Sequence, residues 1–289
     1  MDKRLILLVV LAITFLSVGS SYGDDGSTPE WVKRLTLGAS GGEDRKPRVY
    51  FETVQPLYQD PDKERTFFIH PRYSYNDGDA AYNLGFGYRR LLNNNSILLG
   101  GNTYFDFEDD DNHYRIGFGL EAFINQIEMR ANSYIGLSPV RLIEETPTSQ
   151  IYEEAVDGFD GEIGLPLPHM NWIKLFAGAN WYHYYKSNNQ EGWSLRTEVK
   201  PFKFQTVNVI LYDDNKGETS YRVDARVTIP FGVGDRNEKL SNIGISEEAY
   251  PEKADHSDKV LERVEREYDI QVEKWQNTGG IFSSIGRGT

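Results

Sequence analysis

Residues 221–231 alternate without interruption. Tyr221, Val223, Ala225, Val227, Ile229 and Phe231 take one set of positions, and Arg222, Asp224, Arg226, Thr228 and Pro230 take the other. Side chains on a strand point to opposite faces in turn, so this segment has one apolar wall and one largely charged wall. At a rise of about 3.3 Å per residue the segment is roughly 36 Å long. A tilted strand of about 9–11 residues crosses a bilayer as part of a β-barrel. A half-buried strand of a soluble sandwich would show the same alternation.

The rhythm runs through most of the chain. Leu35, Leu37 and Ala39 open it; Val49, Phe51 and Thr53 follow, then Phe67, Ile69, Tyr73 and Tyr75. Tyr82, Leu84, Phe86 and Tyr88 form a fourth set, and comparable sets recur up to Val207, Val209 and Leu211, so that residues 221–231 are the twelfth. The intervening positions are small or polar: Asn83, Gly85, Gly87 and Arg89; Asn102 and Asp106; Arg115, Gly117, Gly119 and Glu121; Glu128, Arg130 and Asn132; Lys174; Arg196, Glu198 and Lys200. A barrel with paired charges inside and apolar residues outside fits, and so does a sandwich with one solvated face. Tyr, Trp and Phe gather near segment ends (Tyr75, Tyr104, Tyr114, Trp181, Trp193), as a membrane-interface girdle requires.

Composition narrows the choice. Hydrophobic residues make up 39%, with 18 Tyr, 15 Phe and 27 Gly, and the mean hydropathy is −0.56. That suits a barrel, in which only alternate residues must be apolar, and equally a secreted β-rich protein. A net charge of −13 argues against nucleic acid as a partner. With no Cys there are no disulfides, thiolate metal sites or Cys nucleophile. Residues 1–23 read as a cleaved export signal: Lys3 and Arg4, an apolar run over residues 5–16, then Ser21, Tyr22 and Gly23.

Connection lengths add a further test. Counting from residue 31 inside, the long connection over residues 139–155, the acidic loop 108–112 and the loop 187–191 all fall on one side. The short turns at Asn125-Gln126 and at residues 168–171 fall on the other. Outer-membrane barrels show this asymmetry, with short periplasmic turns and longer outer loops.

Beyond Phe231 the pattern changes. Residues 233–257 are polar and irregular. Val260, Leu261, Val264 and Tyr268 mark one face of a short helix over residues 258–267, capped by Ser257 or Asp258. Tyr268, Ile270 and Val272 then alternate with charged and polar neighbours, predicting an extended segment over 268–275, and residues 276–289 read as a loose Gly/Ser-rich tail.

No chemical motif stands out. His70, His113, His169, His183 and His256 are scattered, with no pair at a metal-ligand spacing. Glu108, Asp109, Asp110 and Asp111 read as a solvated loop ahead of a cation site. Gly85-Phe86-Gly87 and Gly117-Phe118-Gly119 lack the following helix that a phosphate cradle needs. The expectation is of no catalytic residue, no metal and no cofactor.

Several stretches resemble the inverse autotransporter β-domain of the intimin and invasin family. They are Asn83-Leu84-Gly85-Phe86-Gly87-Tyr88-Arg89, Gly101-Asn102-Thr103-Tyr104-Phe105-Asp106, residues 115–122, Ala131-Asn132-Ser133-Tyr134 and Gly158-Phe159-Asp160. Order and spacing are kept over residues 31–275, and residues 261–275 resemble that family's linker. The resemblance implies an all-β, twelve-stranded antiparallel transmembrane barrel over residues 24–232, in the bacterial outer membrane. It also implies a linker (233–275) that returns through the pore. The family's passenger, a series of immunoglobulin-like domains, is not matched by residues 276–289, so the expectation is of a translocator-type barrel with a plugging linker and no large passenger. Outer-membrane lipid and lipopolysaccharide, the barrel-assembly machinery and periplasmic chaperones are the implied partners, and no surface ligand follows. A small channel or structural outer-membrane protein with a periplasmic tail is the alternative, and a soluble secreted β-protein a third.

On either barrel reading the pore-lining and plug candidates are Arg89, Arg115, Glu121, Arg196, Glu198, Arg222, Asp224, Arg226, Arg263 and Arg266. The membrane-facing residues of the closing strand are Val223, Val227, Ile229 and Phe231.

Overall fold

A computed structural model of the chain describes residues 29–43, 46–76, 78–228, 241–250, 253–278 and 281–288. The export signal over residues 1–23, and Ile229 and Phe231, lie outside the described residues.

Alternation becomes one closed sheet. Its strands are β1 (Leu35–Gly42), β2 (Arg48–Thr53), β3 (Gln55–Gln59), β4 (Arg65–Asn76), β5 (Asp79–Leu92), β6 (Ile97–Glu108), β7 (His113–Ile124) and β8 (Ile127–Gly136). After a hairpin of β9 (Arg141–Glu145) and β10 (Ser149–Ala155) come β11 (Asp157–Leu167), β12 (Met170–His183), β13 (Gln190–Phe202), β14 (Gln205–Asp214) and β15 (Ser220–Thr228). β2 and β3 both pair with β4 and together make one stave, broken at Val54. The register slips by a residue after Pro56, which has no N–H to give the ladder. Each stave is antiparallel to its neighbours, and β1 pairs with β15 from Thr36↔Thr228 to Gly42↔Arg222. Twelve staves therefore close with no free edge.

Burial is inverted relative to a soluble protein. Leu84, Phe86, Phe105, Phe118 and Leu120 are exposed on the outside, Leu120 by 69%. Arg89, Asp106 and Arg115 are buried inside, at 1% exposure or less. The outward face is the one that lipid would cover. Val223 and Val227 share that face of β15, while Arg222, Asp224 and Arg226 point inward.

Inward-facing glycines sit opposite aromatic residues: Gly38 opposite Tyr50, Gly85 opposite Tyr104, Gly87 opposite Phe68. A Cβ at any of these glycines would lie within 2.4 Å of the facing ring. The rings thus lie flat along the wall, where an upright ring would cross the lumen.

The two ends differ. At one, the turns are short: Asn93, Asn94, Asn95 and Asn125 adopt left-handed backbone, a conformation Asn tolerates. At the other, the long connection between β8 and β11, to which the sequence assigns no strand, holds the β9–β10 hairpin.

Two expectations for the C-terminal region are corrected. Residues 258–267 form no helix; they make successive tight turns, with Lys259 N–H donating to His256 and Glu262 N–H to Lys259 (both 3.0 Å). The carbonyls that would accept helical bonds are taken by barrel side chains instead, as detailed below. Of the residues read as loose, 276–278 continue β16 (Val272–Thr278) and 281–288 form β17 (Ile281–Gly288). β16 pairs with β10 from Ser149↔Thr278 to Ala155↔Val272, giving a four-stranded sheet in the order β17-β16-β10-β9.

Candidate functional site

The lumen and the segment inside it form the site. Residues 241–249 cross the short-turn end, bonded to the β13–β14 and β11–β12 turns: Asn242 N–H to Pro201 O (2.9 Å) and His169 N–H to Ala249 O (2.9 Å). His256 N–H then donates to Asn95 O at 3.0 Å, and from there the chain enters the barrel. Val260 packs on Leu91, Leu98 and Phe123. Val264 and Tyr268 pack deeper, on Val54, Phe68 and Tyr104, with Leu261 between the two clusters. Ile270 and Val272 meet Ala155 at the long-loop end, where β16 begins. Residues 256–278 therefore span the barrel from mouth to mouth.

Alternating strands put a polar group on the inner wall every second residue, and the tail brings its own charges to meet them. Arg266 donates to both oxygens of Asp106 (3.0 and 2.7 Å), a carboxylate that also accepts from Arg115 Nε at 2.9 Å. Arg263 reaches Glu52 at 3.2 Å, and Arg72 holds the same carboxylate at 2.6 Å. Arg226 pairs with Glu265 (2.8 Å) and Arg222 with Glu267 (3.4 Å). Lys259 pairs with Glu128 (2.6 Å), and Lys200 with Glu262. Charges this deep are tolerable only when paired, and leaving one of them with no partner costs about 3–5 kcal/mol.

Main-chain groups are bound as well. Arg89, its Nε and Nη2 held by Glu121 (2.8 and 3.1 Å), turns Nη1 to the carbonyls of Lys259, Val260 and Glu262 at 3.2, 3.3 and 2.5 Å. Arg115 gives Nη1 to Asp269 O and Nη2 to Glu267 O, both 2.8 Å. Asn83 donates to Tyr268 O at 3.1 Å, and Tyr134 Oη accepts from Glu267 N–H at 2.9 Å. These bonds are why the segment is not helical: its carbonyls are satisfied by the wall.

All ten candidate charged residues face this lumen. Arg222, Arg226, Arg263 and Arg266 join barrel to tail, as do Arg89 and Arg115 through carbonyls. Glu121 holds Arg89 in place. Arg196 bonds Glu162 and Asn208 within the wall, Glu198 neighbours Lys174, Lys200 and Arg196, and Asp224 accepts from Tyr50 Oη at 2.7 Å. The candidates from sequence omit Glu52 and Arg72, and also Asp106 and Glu128, although the alternation places these last two on the polar face. They also omit Glu273, whose carboxylate accepts from the N–H groups of Tyr185 (2.6 Å) and Lys186 (3.0 Å) and from Ser187 Oγ (2.8 Å). No sequence signal marks Glu273, because its partners are backbone groups of a distant loop.

Cavities of about 940 Å³ at the short-turn end and about 160 Å³ beside Arg196, Arg222 and Glu265 flank the segment. Among the described residues no His, Asp and Glu cluster could hold a metal ion, and no helix is long and apolar enough to cross a membrane, which says nothing of strands.

Comparisons with known proteins agree with this architecture. An attaching and effacing protein homolog of Escherichia coli (strain K12) is 29% identical over 135 residues, 46% of this chain and 43% of that protein. The chain thus matches less than half the length of this curated relative. A structure solved in a study of the in-meso crystallization of membrane proteins superposes with a TM-score of 0.67 at 17% identity, over 83% of this chain and 99% of that one. The model of the inverse autotransporter β-domain matches residues 36–275, barrel and luminal segment together, and the chain belongs to that family.

Proposed function

We propose that this outer-membrane barrel carries its own C-terminal segment from the periplasmic mouth to the cell surface, and that the segment then closes the pore. The fold and family place the chain in the bacterial outer membrane as a translocator-type barrel. The observation that carries the finer reading is the path of one segment. His256 bonds the short turns, and β16 adds a strand to the β9–β10 hairpin at the opposite mouth. With the short turns in the periplasm, residues 272–288 lie on the surface side. In this reading the barrel is a conduit and does no covalent chemistry. Insertion rests on the barrel-assembly machinery and periplasmic chaperones, and the apolar wall meets lipid and lipopolysaccharide.

An epitope at residue 285, probed on intact cells, tests the path. Labelling without permeabilisation is expected; labelling only after permeabilisation would favour a periplasmic tail and a small channel or structural role.

A further inference from the structure

The two sides of the lumen treat the tail differently. Among the described residues, wall side chains that bond the tail's main chain within the lumen come from four adjacent strands: Asn83 and Arg89 on β5, Glu108 on β6, Arg115 on β7, Asn132 and Tyr134 on β8. Glu108 accepts from Ile270 N–H at 2.9 Å, and Asn132 donates to Glu265 O at 3.4 Å. Across the lumen, β2, β13 and β15 meet the tail through its side chains: Glu52 with Arg263, Lys200 with Glu262, Arg226 with Glu265, Arg222 with Glu267; the β5–β8 side adds two such pairs, Asp106 with Arg266 and Glu128 with Lys259, to its main-chain bonds.

Every residue of any chain offers a peptide carbonyl, so a wall that binds carbonyls does not depend on which side chains pass it. The two arginines are built for this. Each is anchored from behind by a wall carboxylate, Glu121 or Asp106, and presents its free N–H groups inward in a fixed fork. Most wall charges that meet the tail also balance without it. Glu52 keeps Arg72 (2.6 Å), Asp106 keeps Arg115 (2.9 Å), Arg226 keeps Asp224 (3.2 Å), and Lys200 keeps Glu198 (3.5 Å). Substituting the tail's ionic side chains therefore strands few buried charges.

We infer that the β5–β8 wall is a binding track for the main chain of an extended polypeptide, tolerant of its sequence, with the opposite wall adding recognition of this particular tail. The inference rests on the proposed path through the pore. It predicts that the segment's residence depends more on Arg89 and Arg115 than on the tail's own charges.

The test uses the full chain in proteoliposomes, following hydrogen exchange at the amides of residues 267 and 270, with a tag at residue 285 probed on intact cells. One variant neutralises the tail (Glu262, Arg263, Glu265, Arg266 and Glu267, each →Gln). A second, Arg89→Lys with Arg115→Lys, keeps charge opposite Glu121 and Asp106 but loses the fork. Protection is expected to change by less than about tenfold in the first and to fall by more than about tenfold in the second. Tyr134→Phe removes the hydroxyl that accepts from Glu267 N–H and donates to Asp160 Oδ2, and it leaves the tail's own side chains unchanged. It is expected to lower protection at residue 267 by about tenfold, and it decides the matter where the double variant lacks heat-modifiable migration. Loss of protection in the neutralised tail with retention in the lysine or phenylalanine variants would overturn the track. A wild-type tag absent from the surface would instead overturn the transport reading beneath it.

Discussion

At the scale of single residues, the tail is fixed most sharply where it leaves the barrel. Glu273 is fully buried, and two successive N–H groups and a hydroxyl of the loop after β12 close on its carboxylate. Charge-assisted bonds of this kind are stronger than neutral ones. Glu273→Gln keeps the shape and removes the charge. It is expected to weaken the seating of β16 by about 1–3 kcal/mol, read as faster hydrogen exchange at the amides of Tyr185 and Lys186. Unchanged exchange there would show that the loop holds its own shape. On the adjacent strand, Glu153 of β10 is pushed up to about 7 from an ordinary 4.5. Burial is the main cause; Lys274, at 3.3 Å, opposes it only in part, and Asp111 adds to it. A carboxyl whose folded value is raised favours the folded state when protonated. The β10–β16 pairing is therefore expected to be tightest below about pH 4.5 and to loosen as pH rises through about 7. Proteolysis of residues 272–288 on intact cells between pH 5 and 8 would show this, and Glu153→Gln should flatten the profile.

At the scale of elements, period-two alternation was enough to read the strands and their facing from sequence, while barrel rather than sandwich came from aromatic placement, connection lengths and the family resemblance. Phe51, Phe105 and Phe118 are exposed and their neighbours Glu52, Asp106 and Gly117 face inward, because a strand's facing is decided residue by residue. The tail was not legible in the same way. Val260, Leu261, Val264 and Tyr268 have helical spacing, but what they bury against is the barrel wall. The wall's arginines outcompete the helix for carbonyls, and neither the wall nor the segment alone carries that information in its local pattern. The surface hairpin β9–β10 was missed for a related reason: it completes its pairing with β16, more than a hundred residues away in sequence. The outer wall supplies a direct test of facing. Leu120, between Gly119 and Glu121 on β7, is paired with Gly101 and Ala131 and is more exposed than any other apolar residue of the barrel staves described. Leu120→Arg puts a charge against lipid and is expected to cost about 2–4 kcal/mol near the midplane. The midpoint of unfolding in denaturant, with heat-modifiable migration as the assay of assembly, would report it; an unchanged midpoint would contradict the assigned facing.

At the scale of the whole molecule, a barrel of twelve staves is wide enough to hold a chain, and this one holds its own. The tail's apolar side chains pack into two clusters along the lumen, its ionic side chains meet the wall at several depths, and its main chain is bonded between them. An ion crossing the pore would have to displace such pairs where salt screens them little. The intact chain is therefore expected to show little steady conductance in a planar bilayer. Deleting residues 258–289 should raise it, provided the truncated barrel still migrates in a heat-modifiable way. Replacing Arg222 and Arg226 by Gln removes one ionic partner each from Glu267 and Glu265 while the contacts to Arg89 and Arg115 stay. Brief openings are expected there, fewer than in the deletion, because only one wall has been released. Equal conductance in the intact and truncated chains would mean that the tail passes through the lumen without sealing it, and the cavities of about 940 and 160 Å³ beside it would then be the route to examine for ions.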